Sequence, residues 1–226
     1  MMVKSGIFLG FLVLSAAFLP ATVEAAARCA KTDALPQVTL ETQPGRVAYN
    51  TSKNRRQLRQ LQNRGKTSSS RRDWEPIGLT LTELQFRMNI SVSTLARKRG
   101  GHCATVSSVK ASLGYDTITI YVDSRYPSGS CQYLSVLEHE NEHLAIFRDG
   151  LAVFSPKVER RIAEAAWALK PIIASTPQKA ADRLQLALQH KVEPLFKELN
   201  KVLDHNNDSI DTPGNYKREQ ARCTSW

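Results

Sequence analysis

Apolar and polar side chains alternate strictly between residues 84 and 92 of the 226-residue chain. The even-numbered positions carry Leu, Phe, Met, Ile and Val, and the odd-numbered positions carry Gln, Arg, Asn and Ser. Because successive side chains of a strand point to opposite faces of its sheet, this period of two predicts a strand with one buried face. Residues 38–40 and 46–49 are predicted as two further short strands.

Two runs with alternating apolar residues, 109–113 and 118–122, flank the tripeptide Gly114-Tyr115-Asp116. Short apolar runs on either side of a glycine-containing turn are typical of a β-hairpin. The sequence therefore predicts a hairpin here and, together with the strands before it, a small antiparallel sheet.

The apolar spacing changes to three and four residues after position 131, which indicates helices. We predict a helix over residues 131–149, a second that begins at Ser155 and Pro156, and a third over residues 178–203 that Pro194 kinks. Strands thus come first and helices second. This order is typical of an α+β fold, in which a small antiparallel sheet precedes a helical half.

The N-terminus has the pattern of a secretory signal peptide. Lys4 gives a positive start, residues 7–18 are apolar, and Val23-Glu24-Ala25 fits a cleavage site. We predict that residues 1–25 are removed and that residues 26–226 form a single domain, which is periplasmic or secreted. No second apolar run is long enough to span a bilayer, so we expect no transmembrane segment after cleavage.

The chain carries a formal net charge of +10, and much of the positive charge lies between residues 53 and 72. Inside a cell such a basic stretch would suggest nucleic acid, but export and the scarcity of interleaved aromatic residues argue against that partner. An exported basic protein is expected to meet an anionic component of the cell envelope. A solvated basic face that only keeps the protein soluble is the alternative.

Four cysteines lie at positions 29, 103, 131 and 223. An even count in an oxidising compartment suggests two disulfides, and three pairings are possible. The predicted hairpin would return the chain from Cys103 to Cys131, so we favour this pair. Cys29 would then pair with Cys223 and join the termini.

The sequence His139-Glu140-Asn141-Glu142-His143 has the form H-E-x-x-H and lies within the first predicted long helix. Residues four apart share one face of a helix, so both histidines can bind one metal ion, and Glu140 then stands where a general base is needed. The alternative is a polar patch on a surface helix. Apolar residues flank the motif on both sides, which predicts a buried helix whose polar groups need a partner, and a metal ion is the simplest one.

A small sheet, a helix that carries H-E-x-x-H and a helical C-terminal half together resemble a zincin metallopeptidase. More narrowly, the chain is similar to a bacterial family of predicted secreted zinc-dependent proteases, over residues 38–214. In zincins the matching histidines bind Zn²⁺ and the matching glutamate is the general base. The resemblance therefore implies that His139 and His143 are ligands and that Glu140 is the base.

Catalytic zinc usually has three protein ligands, and the zincin subfamilies differ in the third. In metzincins this ligand stands six residues after the second histidine, where the present chain has Asp149. In gluzincins it is a glutamate on the next helix, for which Glu159 and Glu164 are candidates. We choose Glu159, because it flanks the apolar face of the predicted second helix whereas Glu164 points nearly opposite. Asp208 and Asp211 are more remote possibilities.

The resulting expectation is a secreted zinc endopeptidase that hydrolyses peptide or amide bonds in a peptide or protein substrate by means of metal-activated water. Zincins usually hold their substrate as an extra strand along a sheet edge, and a strand of the predicted hairpin is a candidate edge. Tyr126 and Tyr216 are candidates for stabilising the oxyanion. A non-catalytic basic protein that binds the envelope, with a zinc-binding zincin-like fold, is the alternative function.

Overall fold

The computed structural model describes residue 29, residues 34–64 and residues 76–226. Within these residues the strands precede most of the helical chain, so the predicted α+β fold is confirmed. The predicted signal peptide, residues 1–25, lies outside the described residues, and so does the second part of the basic stretch, residues 65–72. None of the described helices combines the length and the apolar character that a membrane span requires.

The described elements follow the chain in a simple order. They are β1 (Gln37–Asn50), α1 (Arg55–Arg64), β2 (Gly78–Leu81), β3 (Leu84–Ala96), β4 (His102–Val122), α2 (Cys131–Ala168), β5 (Ile172–Ala174), α3 (Pro177–Ile210) and α4 (Pro213–Gln220).

The long strand β4 is the centre of the sheet, because each of the other described strands pairs with it. Strands β2, β3 and β5 pair with β4 in the antiparallel sense, whereas β1 runs parallel to it. The sheet is therefore mixed, whereas the sequence predicted an antiparallel sheet. Strands β1 and β2 both pair with the C-terminal end of β4. They must therefore lie on opposite sides of β4, and β2 forms an edge of the described sheet.

The hairpin predicted around Gly114-Tyr115-Asp116 is wrong, because β4 runs through this tripeptide without a turn. Tyr115 is buried in the core. At Gly114, a Cβ atom would lie only 2.0 Å from the carbonyl oxygen of Gln43 on β1. This glycine therefore permits the close approach of a neighbouring strand and does not form a turn.

The predicted break between two helices near residue 150 is also wrong, because α2 is a single helix of 38 residues. Its N-cap is Ser130, whose side chain accepts a hydrogen bond from the backbone N–H of Tyr133 at 3.2 Å. Ser155 donates its hydroxyl proton to the carbonyl of Leu151 at 2.7 Å and caps no helix. Pro156 lies inside α2.

Helices α2 and α3 cover the apolar face of the sheet and contact each other at Gly150. Their buried side chains meet those of β4, including Ile118, Val158 and Leu184, in one core cluster. A Cβ atom at Gly150 would lie 2.5 Å from Cδ2 of Leu203, so the glycine allows the two helices to approach closely there. This approach fixes the distance between the C-terminal part of α3 and the motif on α2.

The structure contains two disulfides, as predicted, but both predicted pairings are wrong. The bonds are Cys29–Cys103 and Cys131–Cys223. Cys103 and Cys131 were expected to meet because of a hairpin that does not exist. In the continuous strand β4, Cys103 stands at the beginning and Cys131 follows the far end.

Removal of the Cys131–Cys223 bond by the double substitution Cys131→Ser and Cys223→Ser should lower the free energy of unfolding by about 2–5 kcal/mol, because the bond closes a long loop in the unfolded chain. Urea unfolding measures this change. Mass spectrometry of non-reduced peptides checks the pairing itself. Recovery of a Cys103–Cys131 peptide would contradict the structure.

Candidate metal centre

Helix α2 places the two histidines and the first glutamate of the H-E-x-x-H motif on the floor of a cleft. The exposed fractions of His139, Glu140 and His143 are only 4, 5 and 8 %. All three line a cleft of about 820 Å³, whose walls come from β2, from the C-terminal part of α3 and from α4. The ligand atoms of the three residues lie within 4.8 Å of one another, so they can hold a metal ion.

The C-terminal end of α3 supplies a carboxylate to the two histidines. Leu203, Asn207 and Asp211 are spaced by four residues, so they lie on one face at the end of α3. Because Leu203 contacts α2 at Gly150, this face is turned towards α2. Asn207 then reaches His143, and Asp211 reaches both His139 and His143.

Three donor atoms converge at this point. Nε2 of His139 and Nε2 of His143 are 3.2 Å apart. Oδ1 of Asp211 lies 3.1 Å from the first nitrogen and 3.2 Å from the second. Ligand atoms around a tetrahedral metal with bonds of 2.0–2.1 Å are about 3.3 Å apart. The three atoms therefore have the mutual distances of three ligands around one metal ion.

The other nitrogen of each imidazole is occupied by an acceptor, which leaves both Nε2 atoms for a metal. Nδ1 of His139 donates to Oε1 of Glu219 on α4 at 3.0 Å. Nδ1 of His143 donates to Oδ1 of Asn207 at 2.7 Å, and the amide nitrogen of the same asparagine donates to the carbonyl of Leu203, which fixes the orientation of the amide. Metal-binding histidines are commonly oriented by a hydrogen bond of this kind.

A phenol orients the carboxylate of Asp211. The hydroxyl of Tyr216 donates to Oδ1 of Asp211 at 2.5 Å. Burial and the neighbouring Asp211 raise the pKa of Tyr216 above its usual range, so the phenol keeps its proton and stays a donor. Tyr216 thus lies at the site, as one of the two tyrosines proposed from the sequence. Tyr126, the other, packs against Val122 and Val136 and does not line the cleft.

The imidazoles and carboxylates of the cluster shift one another's pKa values. Burial alone would lower the pKa of His143, but its hydrogen bond to Asp211 and the charge of Glu140 outweigh this effect and raise it to about 9. Burial would raise the pKa of Asp211, but hydrogen bonds from the two histidines hold it well below its usual range. Without a metal, the cluster therefore keeps protons on its imidazoles, which a cation must displace.

Glu140 faces the same cleft from beside the histidines. Burial raises the pKa of its carboxyl group, and the nearby histidines and the hydroxyl of Thr80 oppose this rise. Oε2 accepts a hydrogen bond from Oγ1 of Thr80 at 2.8 Å. The carboxylate is thus held next to the donor atoms by β2, whereas the histidines are contacted by side chains from the C-terminal end of α3 and from α4.

The structure does not bring Glu159, the predicted third ligand, to the histidines, and the carboxylate that reaches both of them is that of Asp211. Because α2 is one continuous helix, Glu159 lies about 24 Å along its axis from His143. It is exposed and borders a separate shallow groove beside β1. Asp149 and Glu164 lie on the same unbroken helix and do not line the cleft.

A signal for Asp211 was present in the sequence. The buried stripe of α3 passes through Leu188, Val192, Leu199 and Leu203. A further step of four residues from Leu203 reaches Asn207, and the next reaches Asp211. Polar residues that continue an apolar stripe indicate a buried polar site.

Comparisons of the chain with protein-family models, with curated proteins and with solved structures gave no match. The chemistry of the centre is therefore inferred from its own residues.

Replacement of Asp211 by Ala should weaken metal binding by more than the roughly 10–100-fold that loss of an outer hydrogen-bond partner costs, because a direct ligand is removed. Competition with a chromophoric chelator measures the affinity of the purified protein. Glu159→Ala is the matched control and should bind like the wild type. If Glu159→Ala bound the metal more weakly than Asp211→Ala, Glu159 and not Asp211 would be the ligand.

Metal affinity should rise between pH 6 and pH 9, because the imidazoles must lose protons before they bind a metal. His143, with a pKa of about 9 in the metal-free protein, retains its proton over most of this range. We expect up to about a tenfold gain for each pH unit and each proton released. Chelator competition in a pH series measures this slope, and an affinity that does not change with pH would contradict the protonated cluster.

Proposed function

We propose that the protein is an exported zinc-dependent metallopeptidase. The observation that carries this proposal is the set of three donor atoms at 3.1–3.2 Å from one another with the buried carboxylate of Glu140 beside them. Two imidazoles and one carboxylate are a ligand set that catalytic zinc favours, and a fourth position then remains for water or substrate. The two disulfides support an oxidising compartment outside the cytoplasm.

Metal binding and proton transfer are assigned to different residues of the site. His139, His143 and Asp211 would hold Zn²⁺, which when bound supplies an activated water and polarises a substrate carbonyl. Glu140 accepts a proton from the attacking water and returns it to the leaving amine. Burial raises the pKa of its carboxyl group, which is the direction that favours return of the proton to the leaving group.

The edge strand β2 supports a peptide substrate. The backbone N–H of Asp123 donates to the carbonyl of Ile77 at 2.8 Å, so this pair is hydrogen-bonded across β2 and β4. Since hydrogen-bonded and non-bonded pairs alternate in antiparallel strands, the backbone groups of Gly78 and Thr80 face away from β4. They are therefore directed towards the outer edge of the described sheet, where an extended peptide can add as a further strand. A strand of the predicted hairpin cannot serve, because β4 lies in the middle of the sheet.

Glu140→Gln should abolish peptide hydrolysis while zinc stays bound, because the amide cannot accept the proton. We expect kcat to fall by roughly 10²–10⁴-fold, measured on the mature zinc-loaded protein with a library of internally quenched peptides. Elemental analysis should find about one zinc per chain in both proteins.

His143→Ala serves as the comparison and should lose both zinc and activity. A Glu140→Gln protein with wild-type turnover would contradict the peptidase proposal. A non-catalytic protein that binds the anionic envelope would be unaffected by this substitution and would respond instead to neutralisation of its basic residues.

A further inference from the structure

The Glu140 carboxylate is held from the sheet side by a strand, and not by its own helix. Oγ1 of Thr80 on β2 lies 2.8 Å from Oε2 of Glu140 and 3.0 Å from the backbone carbonyl oxygen of the same residue. A hydroxyl has one proton to donate. The carboxylate makes the shorter and the charged contact of the two, and hydrogen bonds to ionised acceptors are the stronger ones.

A second position on β2 leaves room for the carboxylate. A Cβ atom at Gly78 would lie 2.3 Å from Oε1 of Glu140 and 2.6 Å from Cγ1 of Val136. No heavier residue fits there unless the carboxylate moves. Gly78 and Thr80 are two residues apart on one strand, so they present the same face of the sheet to Glu140.

We propose that β2 positions the general base, with Thr80 as the residue that holds the Glu140 carboxylate and Gly78 as the position that leaves space for it. This inference rests on the proposed metallopeptidase function. It assigns to β2 a role in catalysis that is separate from the binding of substrate along its edge.

The physical need for such a holder follows from the crowding of the site. Glu140 lies within 4.8 Å of both histidine ligand atoms, so a cation bound by them would attract its carboxylate. If the carboxylate became a direct ligand, it would occupy the position that water or substrate needs. The hydrogen bond from Thr80 pulls the carboxylate towards the sheet and keeps it beside the ligands.

Thr80→Val tests this role, because valine keeps the shape of threonine and lacks its hydroxyl. In the zinc-loaded protein we expect kcat to fall by roughly 10–100-fold, the range seen when an outer hydrogen-bond partner of a metal site is lost. KM should change little, because the backbone edge of β2 is retained, and zinc content should stay at the wild-type level. Thr80→Ser should restore most of the loss, and Gly78→Ala should lower kcat with zinc retained.

Thr82→Val is the matched control. Thr82 is also a threonine at this end of the sheet, but its hydroxyl donates to the backbone carbonyl of Thr117 at 3.1 Å and not to Glu140. Turnover in this variant should equal that of the wild type. A loss in Thr82→Val as large as that in Thr80→Val would overturn the assignment, since it would show a general effect of a lost hydroxyl.

A second readout does not depend on activity. In the metal-free protein, Thr80→Val should lower the urea midpoint when Glu140 is present, because a buried carboxylate then loses its donor. In a Glu140→Met background the same change should lower the midpoint by less, because only the contact with the backbone carbonyl of residue 140 is then lost, and this non-additivity measures the contact with the carboxylate.

The outcomes separate the two proposals. Wild-type kcat in Thr80→Val with zinc bound, or additive midpoints in the cycle, would overturn the positioning role alone. Absence of hydrolysis by the zinc-loaded wild-type protein would overturn the metallopeptidase proposal, and with it any role of β2 in positioning a base.

Discussion

The structure depends on the burial of three ionisable side chains on one helix. His139, Glu140 and His143 are buried on α2, at the floor of the cleft. Buried polar groups destabilise a fold by several kcal/mol unless they are hydrogen-bonded, paired or bound to a metal. Every element around the motif answers this requirement, because α3 supplies a carboxylate and an amide, α4 supplies a phenol and a second carboxylate, and β2 supplies a hydroxyl.

Helix α4 and the residues after it are held at the site by contacts with the first turns of α2. Cys223 is bonded to Cys131, the first residue of α2. Arg222 pairs with Glu138, and the side chain of Gln132 donates to the carbonyl of Ser225 at 2.6 Å. These contacts hold α4 against the beginning of α2. The side chains of α4 that orient His139 and Asp211 are thus fixed by contacts made outside the cleft.

Local patterns could be predicted from the sequence, and long-range pairing could not. The period of two in β3, the helical motif and its burial were all recognisable, because they depend on neighbouring residues. The continuity of β4 through Gly114 was not, since the need for a glycine there arises from β1, some 70 residues earlier in the chain. The same limit applies to both disulfide pairings, which depend on where distant elements meet.

The carboxylate that reaches both histidines illustrates this limit most clearly. Ser155 and Pro156 have the residue types of a helix start, but α2 continues through them because its apolar face remains packed in the core. A break at this point would have folded Glu159 back towards His143. Once α2 is continuous, only a helix that packs against it can approach both histidines. The spacing of Leu203, Asn207 and Asp211 on α3 then brings Asp211 to them.

Anomalous diffraction from crystals of the zinc-loaded protein, recorded on both sides of the zinc absorption edge, tests the central claim most directly. We predict one anomalous peak at about 2.0–2.2 Å from Nε2 of His139, from Nε2 of His143 and from a carboxylate oxygen of Asp211. Glu140 should approach the peak without binding it. A peak bound by Glu140 in place of Asp211, or the absence of a peak between the two histidines, would contradict the site described above.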